Sequence, residues 1–177
     1  MMNKVDKSFR YGKRFEIGEF CVIGKNVDVG DNVKIGHSVV ILDDCHIGSG
    51  TVVDHHVLLK AGTVIGERCF VDSYFHSSGV NIIGNDVTLR FNSCICRECI
   101  VEDGVFVSPN VMTIYGKHTG EEVGGMVIGK GSHIGTAAVL GPGVVIGESV
   151  VIGAMAYVNK DCESGGTYIG IPARRVR

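Results

Sequence analysis

Two groups of residues in this chain have the types needed for chemistry. The first is His118, set in Ile114-Tyr115-Gly116-Lys117-His118-Thr119-Gly120-Glu121-Glu122-Val123-Gly124-Gly125, a polar, glycine-rich stretch. An imidazole, with an ordinary pKa of about 6.5, can take a proton from a hydroxyl or an ammonium group at neutral pH. The second is the basic set Lys160, Arg174, Arg175 and Arg177 near the C-terminus, which either holds phosphate or forms a solvated tail. A third pattern, Cys96-Arg97-Glu98-Cys99, has the spacing of a metal or redox pair, yet no second pair accompanies it.

These residues hang on a repeat. From Ile17 an aliphatic residue returns every sixth position, through Ile23, Val29, Ile35 and Ile41 to Val107, with Ser77 breaking the register. The beat resumes at Ile128 and runs through Ile134, Leu140, Ile146 and Ile152 to Val158. Neither a helix of period 3.6 nor a strand of period two sustains such a beat, whereas a solenoid of short flat strands does. The second place of each hexad is usually Gly, as at Gly18, Gly66 and Gly147, and the fifth is small or β-branched, as at Cys21, Val33 and Thr63. Places one and five both face inward if the chain turns sharply between hexads, with Gly expected to relieve the turn. Three strands then close a triangular coil, and the hexads predict seven coils stacked about 4.8 Å apart. Cys21, Cys45, Cys69 and Cys99 all hold place five, so they read as buried wall residues and the Cys96–Cys99 spacing as structural. His37 and His46 point outward, His55 and His56 share a corner, and His76 and His133 are outward sixth-place residues.

One repeat implies one domain, with an N-terminal cap segment at 1–16 and the solenoid and its C-terminal tail at 17–177. The net charge of −2 and pI of about 6.4 supply no basic field for nucleic acid or a membrane surface. No run approaches the ~18 apolar residues of a membrane span. Lys4, Lys7, Arg10, Lys13 and Arg14 crowd the start without the apolar stretch of a signal peptide. With seven cysteines, that predicts a reducing, cytoplasmic location. The step from Thr113 to Ile128 is fifteen residues rather than a multiple of six, which predicts a loop extruded at about 114–127. Inserted loops of repeat proteins collect on the working face.

With hexads and loop in place, the chain resembles the hexapeptide-repeat acyltransferases. From Leu89 onward it looks like the galactoside and maltose acetyltransferase branch, with the nucleotide-sugar N-acetyltransferases as a near branch. The likeness is carried by Phe91-Asn92, by Ser108-Pro109-Asn110-Val111, by the histidine loop, by Pro142-Gly143-Val144-Val145-Ile146-Gly147, and by Val158-Asn159-Lys160-Asp161 followed by Gly170-Ile171-Pro172-Ala173-Arg174. It implies an all-β fold, the left-handed parallel β-helix. It also implies transfer of an acetyl group from acetyl-CoA to a hydroxyl or amine of a sugar or nucleotide-linked sugar, with no metal and with sites between the subunits of a homotrimer. His118 then matches the general base and Asn92 the residue orienting the acceptor. The CoA arm falls on Gly135, Thr136, Ala154, Asn159, Lys160 and Arg174, with an amide near Gly135 or Thr136 placed to bond the thioester oxygen. This chain departs from the pattern in having no Trp, and His133 stands where the family often places one. Its loop is also shorter and carries one histidine rather than two, which bears on the acceptor more than on the chemistry.

Two other classes fit parts of the pattern. The same fold hosts zinc carbonic anhydrases, for which His76, His118 and His133 are the available ligands, though no closely spaced histidine pair shares a wall. A non-catalytic solenoid scaffold predicts no response to CoA.

Overall fold

The computed structural model describes residues 2–121 and 123–177, and every count below refers to those residues. Strands, nearly all of two residues, follow one another three to a coil, and up to the last coil each pairs in parallel with the strand three places on. The result is a triangular prism. Its first face has nine strands from Lys4–Val5 to Tyr157–Val158, and its second has eight from Arg10–Tyr11 to Val145–Ile146. The third has ten, from Glu16–Ile17 to Arg174–Arg175, the last antiparallel to Thr167–Ile169.

There are about nine coils rather than the seven that the hexads predict. The beat extends beyond both of its apparent ends. Val5 and Tyr11 hold the same place as Ile17 and stack on Ile23 and Val29. At the other end the corner after Val158 is two residues short, so that Cys162 bridges Ile146 and Tyr168 pairs with Ile152. The segment expected as an N-terminal cap is thus, from Lys4, a coil in register with the rest. The rings of Phe9, Tyr11 and Phe15, 4.9 to 5.5 Å apart, gather on it. At the C-terminal end Ala173 N donates to Tyr157 O at 2.7 Å, which ties the tail to the last strand of the first face.

Places one and five fill the interior as expected. Ile41, Ile47, Leu59, Ile65 and Leu89 are fully buried, and so are the thiols of Cys21, Cys45, Cys69 and Cys99. The turn chemistry differs from the expectation. Left-handed backbone falls on place four, as at Tyr74 (φ 64°), Asn92 (φ 53°) and Asn110 (φ 59°), where Asn is the non-glycine residue most at ease. Glycine at place two serves close approach instead: a Cβ on Gly18 would lie 2.7 Å from the backbone of Gly36 in the next coil.

Ser77, the break in the beat, anchors a buried polar cluster. Its hydroxyl lies 2.6 Å from Thr63 Oγ1 and accepts from Asn81 Nδ2 at 3.0 Å, while Asn81 Oδ1 accepts from Cys99 N at 2.9 Å. All three side chains are fully buried, so removing one strands the others without water. Ser77→Ala is expected to cost about 1–3 kcal/mol, read as a lower urea midpoint with an unchanged slope. An unchanged midpoint would show that the cluster carries no net stability.

Candidate functional site

The extra residues between Thr113 and Ile128 leave the prism at the corner between its first and second faces. The excursion is shorter than the 114–127 expected, because Met126 is already buried in the coil with its carbonyl accepting from Ile100 N, and Val127 pairs with Ile100. The loop is tied down at its base and tight at its tip. At the base, the Tyr115 hydroxyl donates to Glu98 Oε2 at 3.0 Å and the Arg97 guanidinium lies 5.3 Å from the Tyr115 ring centre. At the tip, Lys117 N donates to Glu121 O and Gly120 N to Lys117 O, and Lys117 Nζ lies 2.9 Å from Glu121 Oε2. The returning leg passes over Gly143, where a Cβ would meet Val123 at 2.7 Å.

This bend carries His118 over the first face. The exposed imidazole borders a cleft of about 430 Å³ whose other walls are Ile114, Gly116, Lys117, Pro142 and Tyr157. The strand Tyr157–Val158 continues from it into a second cleft, of about 200 Å³, that gathers Lys160, Arg174 and Arg175 with Asp161, Cys162, Tyr168 and Ala173. A candidate base and a cluster of three cations therefore lie on either side of one strand. Arg175 is paired with Glu163, which leaves Lys160 and Arg174 as the cations of the second cleft suited to phosphate groups, with Asp161 beside them.

The sequence pattern points to His118, Lys160, Arg174 and Arg175, and to Pro142 as part of a motif, but gives Tyr157 no role. Tyr157 has a signal: it follows Val139 by eighteen residues, so it lies on the outer side of the same face.

The other expected residues lie elsewhere on the protomer. Asn159 is exposed beside Lys160, but Gly135, Thr136 and Ala154 sit at the corner between the third and first faces. Gly135 N donates to Ile152 O at 2.8 Å, and a Cβ there would lie 2.6 Å from Ala154 N. That amide serves coil stacking, which leaves Thr136 and Ala154 as the exposed groups of the corner. Asn92 stands on the same corner two coils before Thr136 and three before Ala154, its Nδ2 donating to Asn110 Oδ1 at 3.0 Å. Within one protomer, then, Asn92 and His118 occupy different edges of the first face.

His76 lies on the outer side of the first face between Leu58 and Cys94, and its Nε2 is buried with no hydrogen-bond partner. Burial, with Lys60 nearby, pushes its pKa below the ordinary value, so it is neutral at pH 7. His133 is on the third face, stacked on Phe106 at 4.9 Å with Ser108 Oγ 3.4 Å from its Nε2. Among the described residues, no three His, Cys, Asp or Glu side chains gather in a metal-holding group. None forms a helix long and apolar enough to cross a membrane.

Comparisons with known proteins agree with this architecture. Residues 7–111, more than half of the chain, match the family model described as GMPPB C-terminal domain, and residues 125–160 match that of bacterial transferase hexapeptide (six repeats). No curated protein sequence matches the chain. Among solved structures, the UDP-N-acetylglucosamine O-acyltransferase of Moraxella catarrhalis superposes with a TM-score of 0.88 at 20% identity, covering 98% of this chain and 72% of that one. The corresponding acyltransferase of Bacteroides fragilis gives 0.86 at 18% identity, covering 98% and 72%. LpxA of Acinetobacter baumannii gives 0.79 at 22% identity, covering 98% and 71%. At these identities the likeness shows the fold, which is the left-handed parallel β-helix. The chain belongs to the family of the GMPPB C-terminal domain, whose pattern covers its first coils, and it continues in the bacterial transferase hexapeptide pattern after the loop.

Proposed function

We propose that the protein transfers an acetyl group from acetyl-CoA to a hydroxyl or amino group of a sugar or nucleotide-linked sugar. The observation that carries this reading is the pairing of the His118 cleft with the Lys160–Arg174–Arg175 cleft across the strand Tyr157–Val158. The cations bind phosphates of the coenzyme, and the arm runs along the strand toward the loop. His118 takes the proton from the acceptor as its oxygen or nitrogen attacks the thioester carbonyl. The proton then passes to the departing thiolate, so no covalent intermediate with the protein is required.

The reading includes a cytoplasmic homotrimer with the first face turned toward its axis. From Val22 through Val40, Leu58, His76, Cys94, Met112 and Val139 to Tyr157, the outer side of that face carries no permanently charged side chain. In the coil of Val22 the second and third faces carry Asp28 and Lys34 at the matching places, and only the coil before it has a charge, Lys4, on the first face. Such packing brings the corner with Asn92, Thr136 and Ala154 of one protomer toward the loop of its neighbour, where Asn92 can orient the acceptor.

Lys160→Ala and Arg174→Ala are each expected to weaken CoA binding by about tenfold, equivalent to ~1.4 kcal/mol, in titration calorimetry. Affinity within twofold of the unmodified protein in both variants would remove the phosphate role.

A further inference from the structure

The corner on which the loop rests contains two thiols that face each other. Cys96 takes place two of its hexad, usually glycine, and turns inward toward Cys99 at place five. Their sulfurs are 3.2 Å apart, at 5% and 1% exposure. The hexad pattern predicts only Cys99 inside, because the second place of a hexad normally has no side chain to bury.

The two thiols are chemically unequal. The S–H of Cys99 points its dipole at Cys96 and draws the Cys96 pKa below the ordinary thiol value, while the same contact and burial push Cys99 up. Burial also raises Cys45, Cys69, Cys94 and Cys162. Cys96 is therefore the one with the nucleophilic bias, and it has a second sulfur within reach. A disulfide needs a sulfur separation of about 2.05 Å, so the pair must close by about 1 Å.

The pair also brackets the residues that hold the loop. Arg97 and Glu98, between the two cysteines, make the contacts to Tyr115. Cys96 N donates to Thr113 Oγ1 at 2.6 Å, one residue before the loop starts. Gly125, where the loop returns, passes so close to Glu98 that a Cβ would strike its carbonyl.

We propose that Cys96 and Cys99 form a reversible thiol–disulfide couple beneath the loop, closed by a peroxide and opened by a thiol reductant. The Cys96 thiolate attacks one oxygen of hydrogen peroxide; an S–O bond forms, the O–O bond breaks, and the hydroxide leaves as water with the proton of the former thiol. Cys99 sulfur then attacks Cys96 sulfur; the S–S bond forms, the S–O bond breaks, and a second water leaves with the Cys99 proton. Two thiols are oxidised and one peroxide is reduced to two waters. A dithiol returns both cysteines by exchange. Closing the couple shifts the Arg97–Glu98 corner, and with it the base of the His118 cleft.

The test is native treatment of the full chain with hydrogen peroxide, alkylation of remaining thiols, and peptide mapping. Trypsin cuts after Arg97, so a Cys96–Cys99 bond links two peptides that separate on reduction. The expected result is loss of two of the seven thiols, linkage of those peptides, and full recovery with dithiothreitol. Cys94→Ser should keep the link, since Cys94 shares the Cys96 peptide. Cys99→Ser should instead leave a sulfenic acid on Cys96 that dimedone traps. Alkylation of both Cys96 and Cys99 after native peroxide treatment would overturn the proposal, as would a link that persists in Cys96→Ser.

Discussion

His118→Ala is expected to lower acyl transfer by about 10²–10⁴-fold, the usual contribution of a positioned base. The side chain is exposed at the tip of a bend held by backbone bonds between Lys117, Gly120 and Glu121, none of which involves the imidazole. Removing it therefore leaves the coils intact, and the melting temperature should move by no more than a degree or two. The affinity for CoA should also persist, because Lys160 and Arg174 lie in the neighbouring cleft. The loss thus belongs in kcat rather than in KM for the coenzyme, the pattern of an interaction made in the transition state. Turnover within threefold of the unmodified protein would assign the proton transfer to another group.

The largest effect on stability is expected at Phe75. It is a fully buried side chain, at a place of the hexad that in most other coils holds a smaller residue such as Cys, Val, Thr, Ser or Ala. Residues two apart in a strand share a side, so Phe75 and Ser77 point into the same coil. The ring supplies volume where Ser77 gives up an aliphatic side chain. Phe75→Ala leaves a ring-sized gap beside the Ser77, Thr63 and Asn81 cluster, at a cost of about 3–5 kcal/mol. In a solenoid each coil is stabilised mainly by its neighbours, so the loss should appear as earlier unfolding around residues 57–95 in hydrogen exchange. Uniform exchange along the chain would argue that the prism unfolds as one unit.

The fold was legible because stacking imposes one requirement on every coil. An aliphatic side chain at place one meets its equal in the next coil, and the beat of six records that contact from Ile17 to Val158. The ends were less legible. Tyr11 keeps the beat with an atypical residue, and Cys162 falls off it because the corner after Val158 drops two residues, so two coils escaped the pattern. Glycine at place two was visible but its cause was not, since close approach of neighbouring coils is a property of the stack rather than of a single turn.

The site was half legible. A fifteen-residue step from Thr113 to Ile128 located the loop and His118 without any coordinates. Which corner it left required counting in eighteens, one full coil. By that count Asn92 precedes a strand of the first face and His118 follows one, which puts them on different corners. The hexad gives every corner the same appearance, and only the closed triangle tells them apart. Tyr157 escaped notice for the same reason, since its neighbours at the loop are distant in sequence.

The most direct measurement is release of free CoA thiol from acetyl-CoA by the purified protein, across a panel of amino sugars and sugar nucleotides. The account predicts release that saturates in acetyl-CoA, depends on one class of acceptor, and collapses in His118→Ala. No acceptor-dependent release, together with a melting temperature indifferent to millimolar CoA, would contradict it and leave the prism as a scaffold.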